Sequence, residues 1–441
     1  MVTVVRVTEH PPFIRKTRWS VPRHICSLPV GFRFLVDRDG DVIEPALLFI
    51  FDTYTPAGVL KREKTVKTYV EALYEWFSHL EALEDAYELA IAAGDKSALP
   101  PPTWNQVTAQ HLLAYSVALE SAISPLTFSA LSTATKHDRM RTIIALYQWA
   151  FFKGYYTDFV NLKEVYENST KKPRARIPRA IPIKQLVEIL KRLGPLPSEC
   201  VGQEHKQKSR DRLAAEFALR CGLRIDEVTN LTVRQITKLI PHRGPNPHKP
   251  VALPLTHTKG GEPREVALPS SLLREVLAYI DGERAEVVNL AKSQGTNEIY
   301  TEPANLFVNG ADASQEDIGK PLTTHRLSVI FHDCVIACGF FSVVYEQGHA
   351  NARNDSRRKR LVALYTFHFL RHTFVYSMYY ALQRVGVKFP WRTIQILLGH
   401  AHLSTTVKYY MRGVGTAEKK ISDAVVAVAR FHADRSAHGS A

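Results

Sequence analysis

One segment of the sequence resists burial in any compact core, and it divides the chain in two. Residues 167–182 read ENSTKKPRARIPRAIP, with three prolines, five lysine or arginine residues and almost no large apolar side chain. Proline removes backbone donors, and a dense positive charge prefers solvent, so this composition is typical of an extended linker. The chain has 441 residues, which is too long for one core, and two or three domains are expected.

The net charge favours a polyanionic partner. Lysine and arginine number 57 against 43 aspartate and glutamate, which gives +14 at pH 7. Such an excess is typical of proteins that bind nucleic acid, and a basic protein kept soluble by its charge is the alternative. No apolar run of 18 residues and no secretory leader is evident, so neither a membrane span nor secretion is expected. Five scattered cysteines predict no disulfide framework and no zinc site, and they fit a reducing cytosol.

The hydrophobic pattern changes once before the linker. Residues 1–58 predict a β-rich extension of unknown role, because GFRFLVDRDGDVIEPALLFIFD alternates around an Asp-Gly turn. Residues 59–166 predict a helical domain of three helices. The first helix has apolar residues at three- and four-residue steps, namely Val66, Tyr69, Val70, Leu73, Trp76, Phe77 and Leu80.

The third of these helices begins with cationic side chains. It reads TATKHDRMRTIIALYQWAFFKGY and carries His137, Arg139 and Arg141 ahead of its apolar stripe. Cations near a helix start are suited to contacting phosphates, and a solvated face is the alternative interpretation. Together with the basic linker, these positions predict a DNA-contacting surface, whose linker members are Lys171, Lys172, Arg174 and Arg176.

After the linker, residues 183–429 predict a mixed domain of helices and short strands, and residues 430–441 predict a flexible tail. Helices are expected at 184–193 and 210–221, and strands in NLTVRQI, KPVALPLTHTK and REVALP. The turn TKGGEPR between the last two strands predicts a β-hairpin with Lys259 at its tip. The basic run RNDSRRKRLVAL at 353–364 has a solvated loop as its default interpretation.

Cationic, imidazole and phenol groups then recur in short motifs. Taken in chain order, they are Arg224 in CGLRIDEV, Lys259 in the hairpin, His368 and Arg371 in FHFLRHTF, His400 in ILLGH, and Tyr409 in STTVKYYMR. Each has a structural alternative. Arg224 can pair with Glu227, Lys259 can be an exposed turn residue, ILLGH can be a helix end, and the tyrosine can be a core aromatic.

In this order and spacing the motifs resemble the boxes of the tyrosine recombinase (phage integrase) family. CGLRIDEV resembles its first arginine box, HTKGGEPREVALP its lysine hairpin, FHFLRHTF its H-x-L-R-H box, and ILLGHAHLSTTVKYY its L-G-H and tyrosine box. The resemblance covers residues 60–425. It implies a mostly α fold with a small antiparallel β-sheet: an N-terminal helical core-binding (SAM-like) domain and a mixed α+β tyrosine recombinase catalytic domain.

The resemblance also implies a reaction and a site. The reaction is site-specific DNA recombination or integration for a mobile element, through a 3′-phosphotyrosyl intermediate, with no metal, ATP or other cofactor. The implied catalytic residues are Arg224, Lys259, His368, Arg371, His400 and Tyr409, with Glu227 as a supporting acid. Tyr410 is the alternative nucleophile, and His372 is expected to make a structural hydrogen bond instead of reacting.

The implied partner is double-stranded DNA at a specific site. The resemblance implies a homotetramer on two duplexes, an accessory directionality factor, and a cytoplasmic protein that is nucleoid-associated when bound. Three alternatives remain open: a type IB topoisomerase that relaxes strands, a catalytically inactive DNA-binding protein of the same fold, and a metal nuclease. The nuclease is disfavoured because His242 and His248 have no acidic cluster beside them in the sequence.

Overall fold

A computed structural model describes residues 1–7, 28–55, 63–123, 130–157, 179–200, 208–244, 246, 248–258, 262–293, 300–345 and 359–399. Within these residues the protein is mostly helical, with three separate two-stranded antiparallel sheets, which confirms the predicted fold class. The chain forms two compact units, one from the described residues up to 157 and one from those beginning at 179. None of the helices in these ranges combines the length and apolar character needed to cross a bilayer.

The first unit is a helical bundle with a small strand pair. Its elements are β1 (Thr3–Arg6), β2 (Arg33–Val36), α1 (Glu44–Tyr54), α2 (Glu63–Ala92), α3 (Ala109–Ser121) and α4 (Thr133–Phe152). The strands pair antiparallel, with Thr3 opposite Val36. One hydrophobic core joins all four helices, and Trp76 at its centre donates a hydrogen bond of 3.2 Å from Nε1 to the Tyr147 hydroxyl.

Helix α1 corrects the expectation that residues 1–58 are β-rich. Only two four-residue strands form there, and EPALLFIFDTY is helical. All of residues 44–51 are buried, so the helix is apolar on every side and has no 3.6-residue period to reveal it. Pro45 in the first turn and Glu44 at the N-terminus suit a helix start.

The second unit combines nine helices with two hairpins in the described residues. Its helices are α5 (Ile183–Leu193), α6 (Arg210–Cys221), α7 (Ile225–Thr229), α8 (Val233–Thr237), α9 (Ser270–Tyr279), α10 (Ala285–Ser293), α11 (Thr324–Ala337), α12 (His368–Arg384) and α13 (Pro390–Leu398), and its strands are β3 (Pro250–Leu255), β4 (Arg264–Pro269), β5 (Phe341–Tyr345) and β6 (Lys359–Ala363). Helix α6 is buried along almost its whole length and packs against α12, which in turn contacts α13. The predicted β3–β4 hairpin is confirmed, with Leu255 opposite Arg264.

Two predictions in this unit are wrong. The segment NLTVRQI is not a strand, because Thr232 and Gln235 form a reciprocal helix cap that starts α8. The Thr232 hydroxyl accepts from the Gln235 backbone at 3.2 Å, and the Gln235 side chain accepts from the Thr232 backbone at 2.9 Å. The end of the basic run at 353–364 is not a loop either, since residues 359–363 form β6, which pairs with β5.

Candidate active site

The site is organised by the turn between α6 and α7. Gly222 ends α6 in the left-handed region, at φ +69°, where a residue without a Cβ is favoured. A Cβ at this position would also lie 2.6 Å from the Phe374 ring of α12. Two residues later Arg224 caps the start of α7, and its backbone N–H donates to Glu227 Oε2 at 2.8 Å. This turn therefore sets Arg224 and Glu227 side by side against α12.

Three arginines converge on the carboxylate of Glu227. Arg224 donates from Nη1 to Oε1 at 2.9 Å. Arg264, at the start of β4, donates from Nη1 to Oε1 at 2.7 Å and from Nη2 to Oε2 at 2.8 Å. Arg371 of α12 brings Nη1 to 3.8 Å from Oε2. Charge-assisted pairs of this kind fix both the position and the orientation of the groups involved.

The carboxylate of Glu227 is ionised in this setting. The side chain is buried, and burial alone would raise its pKa. The hydrogen bonds from the Arg264 guanidinium and the Arg224 backbone, with the charges of Arg264 and Arg371, outweigh that effect. They hold the pKa of Glu227 below its ordinary value. Three guanidinium groups thus share one negative charge, which leaves the cluster with a net positive charge.

Arg371, a member of this cluster, also ties two helix ends together. The residue is 1% exposed. Nη1 donates to the carbonyl oxygen of Gly222, which ends α6, and Nη2 donates to the carbonyl oxygen of Leu398 in the last turn of α13, at 2.9 Å. Carbonyls in the last turn of a helix lack partners within the helix, and a cation is favoured there. Arg371 therefore joins the first arginine motif to the residue two positions before His400.

The two histidines of FHFLRHTF have different environments. His368 is the first residue of α12 and is exposed, although it lies one turn before the buried Arg371. His372 is buried, and its ring centroid lies 4.6 Å from that of His368. Burial first, and then the charges of His368 and Arg371, lower the pKa of His372 to about 3. His372 is therefore neutral near pH 7, whereas His368 is accessible from solvent.

The structure thus brings together Arg224, Glu227 and Arg371 and places His368 at the start of the same helix as Arg371. The remaining sequence-predicted positions of the site and linker lie outside the described residues, namely Lys259, His400, Tyr409, Tyr410, Lys171, Lys172, Arg174 and Arg176. Described neighbours flank two of them. The Thr258 hydroxyl donates to the Glu262 carbonyl at 2.7 Å beside the Lys259 turn, and Gly399 caps α13 directly before His400.

The cations at the start of α4 do not form one exposed face. Arg139 is only 17% exposed and pairs with Glu75 of α2. Burial raises the pKa of Glu75, and the Arg139 charge opposes that rise, so Arg139 serves the bundle interior. Arg141 is 55% exposed and lies 3.3 Å from Asp138, and His137 is half-buried. The expected surface of three cations is therefore corrected to one in which Arg139 faces inward.

Arg264 is a functional candidate that sequence reasoning missed. In REVALP the alternating side chains Arg264, Val266 and Leu268 share one strand face, and the two apolar members are buried. A cation on the buried face of a strand needs an anionic partner. That local pattern could have directed attention to Arg264, but it does not identify Glu227 as the partner.

The described residues contain no group of three or more His, Cys, Asp or Glu side chains placed to hold a metal ion. The described contacts gather three guanidinium groups around the buried carboxylate of Glu227, next to the β3–β4 hairpin. Such a cluster suits recognition of a singly charged oxyanion, because planar guanidinium groups match two oxygens at once.

Comparison with known protein families matches residues 183–413 to the phage integrase family. The match spans more than half of the 441 residues, so the chain belongs to the phage integrase family of tyrosine recombinases. A search among curated proteins found no match.

Several solved structures resemble this chain at low identity. The Tn1549 transposon integrase in complex with circular intermediate DNA is 16% identical, with a TM-score of 0.46, over 82% of this chain and 94% of that chain. A lambda integrase dimer bound to a COC′ core site is 15% identical, with a TM-score of 0.42, over 81% and 96%. The XerA recombinase is 16% identical, with a TM-score of 0.31, over 85% and 98%.

Proposed function

We propose that this protein is a site-specific DNA recombinase that cleaves and rejoins strands through a 3′-phosphotyrosyl intermediate, with Tyr409 as the nucleophile. The observation that carries the proposal is the convergence of Arg224 and Arg371, from distant parts of the chain, on the buried carboxylate of Glu227. Membership of the phage integrase family supports it.

The arginines suit a phosphodiester undergoing in-line attack. Negative charge builds on the two non-bridging oxygens in the transition state, and preorganised cations in a water-poor site stabilise it. The Arg224 side chain is 21% exposed, so a phosphate can approach its guanidinium from solvent, whereas Arg371 is buried. Loss of either arginine is expected to slow cleavage about 100- to 1,000-fold, as for loss of one oxyanion-hole donor.

The proton transfers are assigned to the other motif residues. A tyrosine with an ordinary pKa of about 10 is protonated near neutral pH and needs a group to accept its proton. His368 is exposed at the start of α12 and is the proposed acceptor. Lys259 on the hairpin would protonate the leaving 5′ oxygen, and His400 would hydrogen-bond the scissile phosphate. The phosphotyrosyl bond then preserves the energy of the cleaved one, so the chemistry calls for neither metal nor ATP.

We propose the following division of labour along the chain. Residues 59–166 contact the core DNA site, 167–182 follow the duplex backbone as a linker, and 183–429 carry out catalysis, with a tail at 430–441 and an extension of unassigned role at 1–58. His137, Arg141 and the basic residues of the linker are the proposed phosphate contacts. A homotetramer on two duplexes, with an accessory directionality factor, completes the proposed assembly in the cytoplasm.

Covalent trapping tests the proposal. Wild type, Tyr409→Phe and the matched control Tyr410→Phe are incubated in EDTA with labelled nicked duplexes that tile the sequences flanking the gene. We expect a protein–DNA adduct that survives SDS in wild type and Tyr410→Phe and is lost in Tyr409→Phe. An adduct lost only in Tyr410→Phe would reassign the nucleophile, and cleavage abolished by EDTA would indicate a metal nuclease.

The same reaction separates the two remaining alternatives. Wild-type protein that binds DNA without any adduct would indicate an inactive DNA-binding protein. An adduct that relaxes supercoils but never joins its strand to a second, differently labelled duplex would indicate a topoisomerase.

A further inference from the structure

Arg264 occupies a central position among the motifs of the proposed site. It is the first residue of β4 and follows directly on the turn that carries Lys259. Its two terminal nitrogens bind the two oxygens of Glu227 at 2.7 and 2.8 Å. Its side chain is 11% exposed. One residue thereby links the lysine hairpin to the acid that holds Arg224.

The stem of Arg264 also lies under the end of α13. Gly399 adopts the left-handed conformation at φ +62°, and a Cβ built there would overlap the Arg264 Cδ and lie 2.9 Å from its Nε. The backbone of Gly399 therefore rests on the Arg264 side chain, one residue before His400. Helix α13 and strand β4 are in contact as whole elements too. Arg264 thus also contacts the ILLGH motif, at Gly399.

We propose that Arg264 is the positioning residue of the active site: it sets the distances between the β3–β4 hairpin, the Arg224–Glu227 pair and Gly399 at the end of α13. The proposal rests on the proposed function. Arg264 is not expected to contact the phosphate, because Glu227 engages both of its terminal nitrogens, whereas the more exposed Arg224 gives Glu227 only Nη1. Its effect on the reaction comes through the three groups whose separation it fixes.

Arg264 has a second consequence for the charge of the site. Its guanidinium binds both oxygens of Glu227, while Arg371 remains 3.8 Å from the carboxylate. Three guanidinium charges against one carboxylate leave two positive charges for a phosphodiester that carries one negative charge. Without Arg264, the carboxylate would attract Arg224 and Arg371 more closely and compete with the phosphate for them.

The decisive variant is Arg264→Lys, because it keeps the charge beside Glu227 but cannot bind both oxygens in a planar fork. Adduct formation is measured in single turnover on a nicked duplex, with protein in excess of its DNA dissociation constant. We expect Arg264→Lys to bind DNA within about twofold of wild type and to form the adduct about 100-fold more slowly, the scale of a 1 Å misplacement. Arg264→Met, which keeps the bulk and loses the charge, should be at least as slow.

Arg284→Lys is the matched control. Arg284 is buried and donates to Glu302 at 2.7 Å and to the carbonyls of Pro303, Asn305 and Leu306, none of which belongs to the motifs. This control should melt at a lower temperature than wild type and should keep the wild-type adduct rate when assayed below its melting transition. A common effect of replacing a buried arginine would slow both variants equally.

The outcomes separate this proposal from the proposed function. If wild type forms no adduct, the proposed function fails first and the role of Arg264 in it fails with it. If wild type forms the adduct and Arg264→Lys matches its rate, charge alone is sufficient and the positioning role is overturned. An Arg264→Lys chain that no longer folds, judged by circular dichroism, would also overturn it, because Arg264 would then serve the fold and not the reaction.

Discussion

The substitution Gly222→Ala is expected to have two effects: it destabilises the second unit, and it displaces the arginine cluster around Glu227. Gly222 has φ +69°, a conformation that costs a residue with a Cβ about 1–2 kcal/mol. The new methyl group would also stand 2.6 Å from two ring atoms of Phe374, which is 5% exposed and has little room to move. Overpacking of this kind typically costs about 1–3 kcal/mol.

Gly386→Ala is the control that separates the two effects. Gly386 belongs to the same unit and has a similar φ of +76°, but a Cβ there meets nothing within 4 Å. It should therefore lose only the conformational part, about 1–2 kcal/mol. Gly222→Ala should lose about 2–5 kcal/mol, the sum of the conformational and packing costs. At about 2–4 °C per kcal/mol for a unit of this size, the Gly222→Ala melting temperature should lie several degrees below that of Gly386→Ala.

Thermal melts by circular dichroism give the comparison, and hydrogen exchange of amides in α6 and α12 assigns the loss to this unit. Because the Gly222 carbonyl accepts from Arg371, the shift of Phe374 should also displace Arg371 and slow adduct formation below the melting transition. Gly386→Ala should keep the wild-type rate. Equal melting temperatures for the two variants would refute the packing contribution, and an unchanged adduct rate in Gly222→Ala would refute the link from this turn to the cluster.

Three further outcomes follow from the charges. The lowered pKa of Glu227 contributes stability that is present above its unfolded pKa of about 4.3 and is lost as the pH falls through the folded pKa. The urea midpoint of Glu227→Gln should therefore decrease less at low pH than that of wild type. Identical pH profiles for the two proteins would contradict this. His372 is neutral in the folded protein and can take a proton in the unfolded one. The free energy of unfolding should therefore decrease as the pH is lowered from about 6.5 to about 3, and His372→Gln should remove that dependence. Arg139→Gln should lower the melting temperature without changing the salt dependence of DNA binding, whereas Arg141→Gln should reduce the log–log salt slope by about 1 and leave melting unchanged; exchanged effects would contradict the assignment.

Much of the fold could be predicted because amphipathic helices and alternating strands have a regular hydrophobic period in the sequence. The helix that begins near Lys64 and the β3–β4 hairpin have clear periods, and both are present. Helix α1 could not be recognised in this way, because burial on all sides removes the period. The strand predicted for NLTVRQI is wrong because its β-branched residues favour a strand, whereas the reciprocal cap between the Thr232 and Gln235 side chains starts a helix.

The site could be predicted in part for a similar reason. The Arg224–Glu227 pair lies within one turn of chain, so its hydrogen bond could be anticipated from spacing alone. The partners of Arg371 could not, because they are backbone carbonyls, which every residue carries. Arg264 and Glu227 come from different elements, and only the folded chain identifies them as a pair.

The contact between Arg264 and Gly399 also restricts how this sequence can change over evolutionary time. A single substitution that adds a side chain at position 399 collides with the arginine stem, and a single substitution that shortens position 264 removes the one guanidinium that binds both oxygens of the buried Glu227 carboxylate. Each change alone therefore disturbs the contact on which the other position depends. The residues at positions 264 and 399, far apart in the chain, therefore constrain each other. Substitutions should accumulate at neighbouring surface positions before they appear at either of these two.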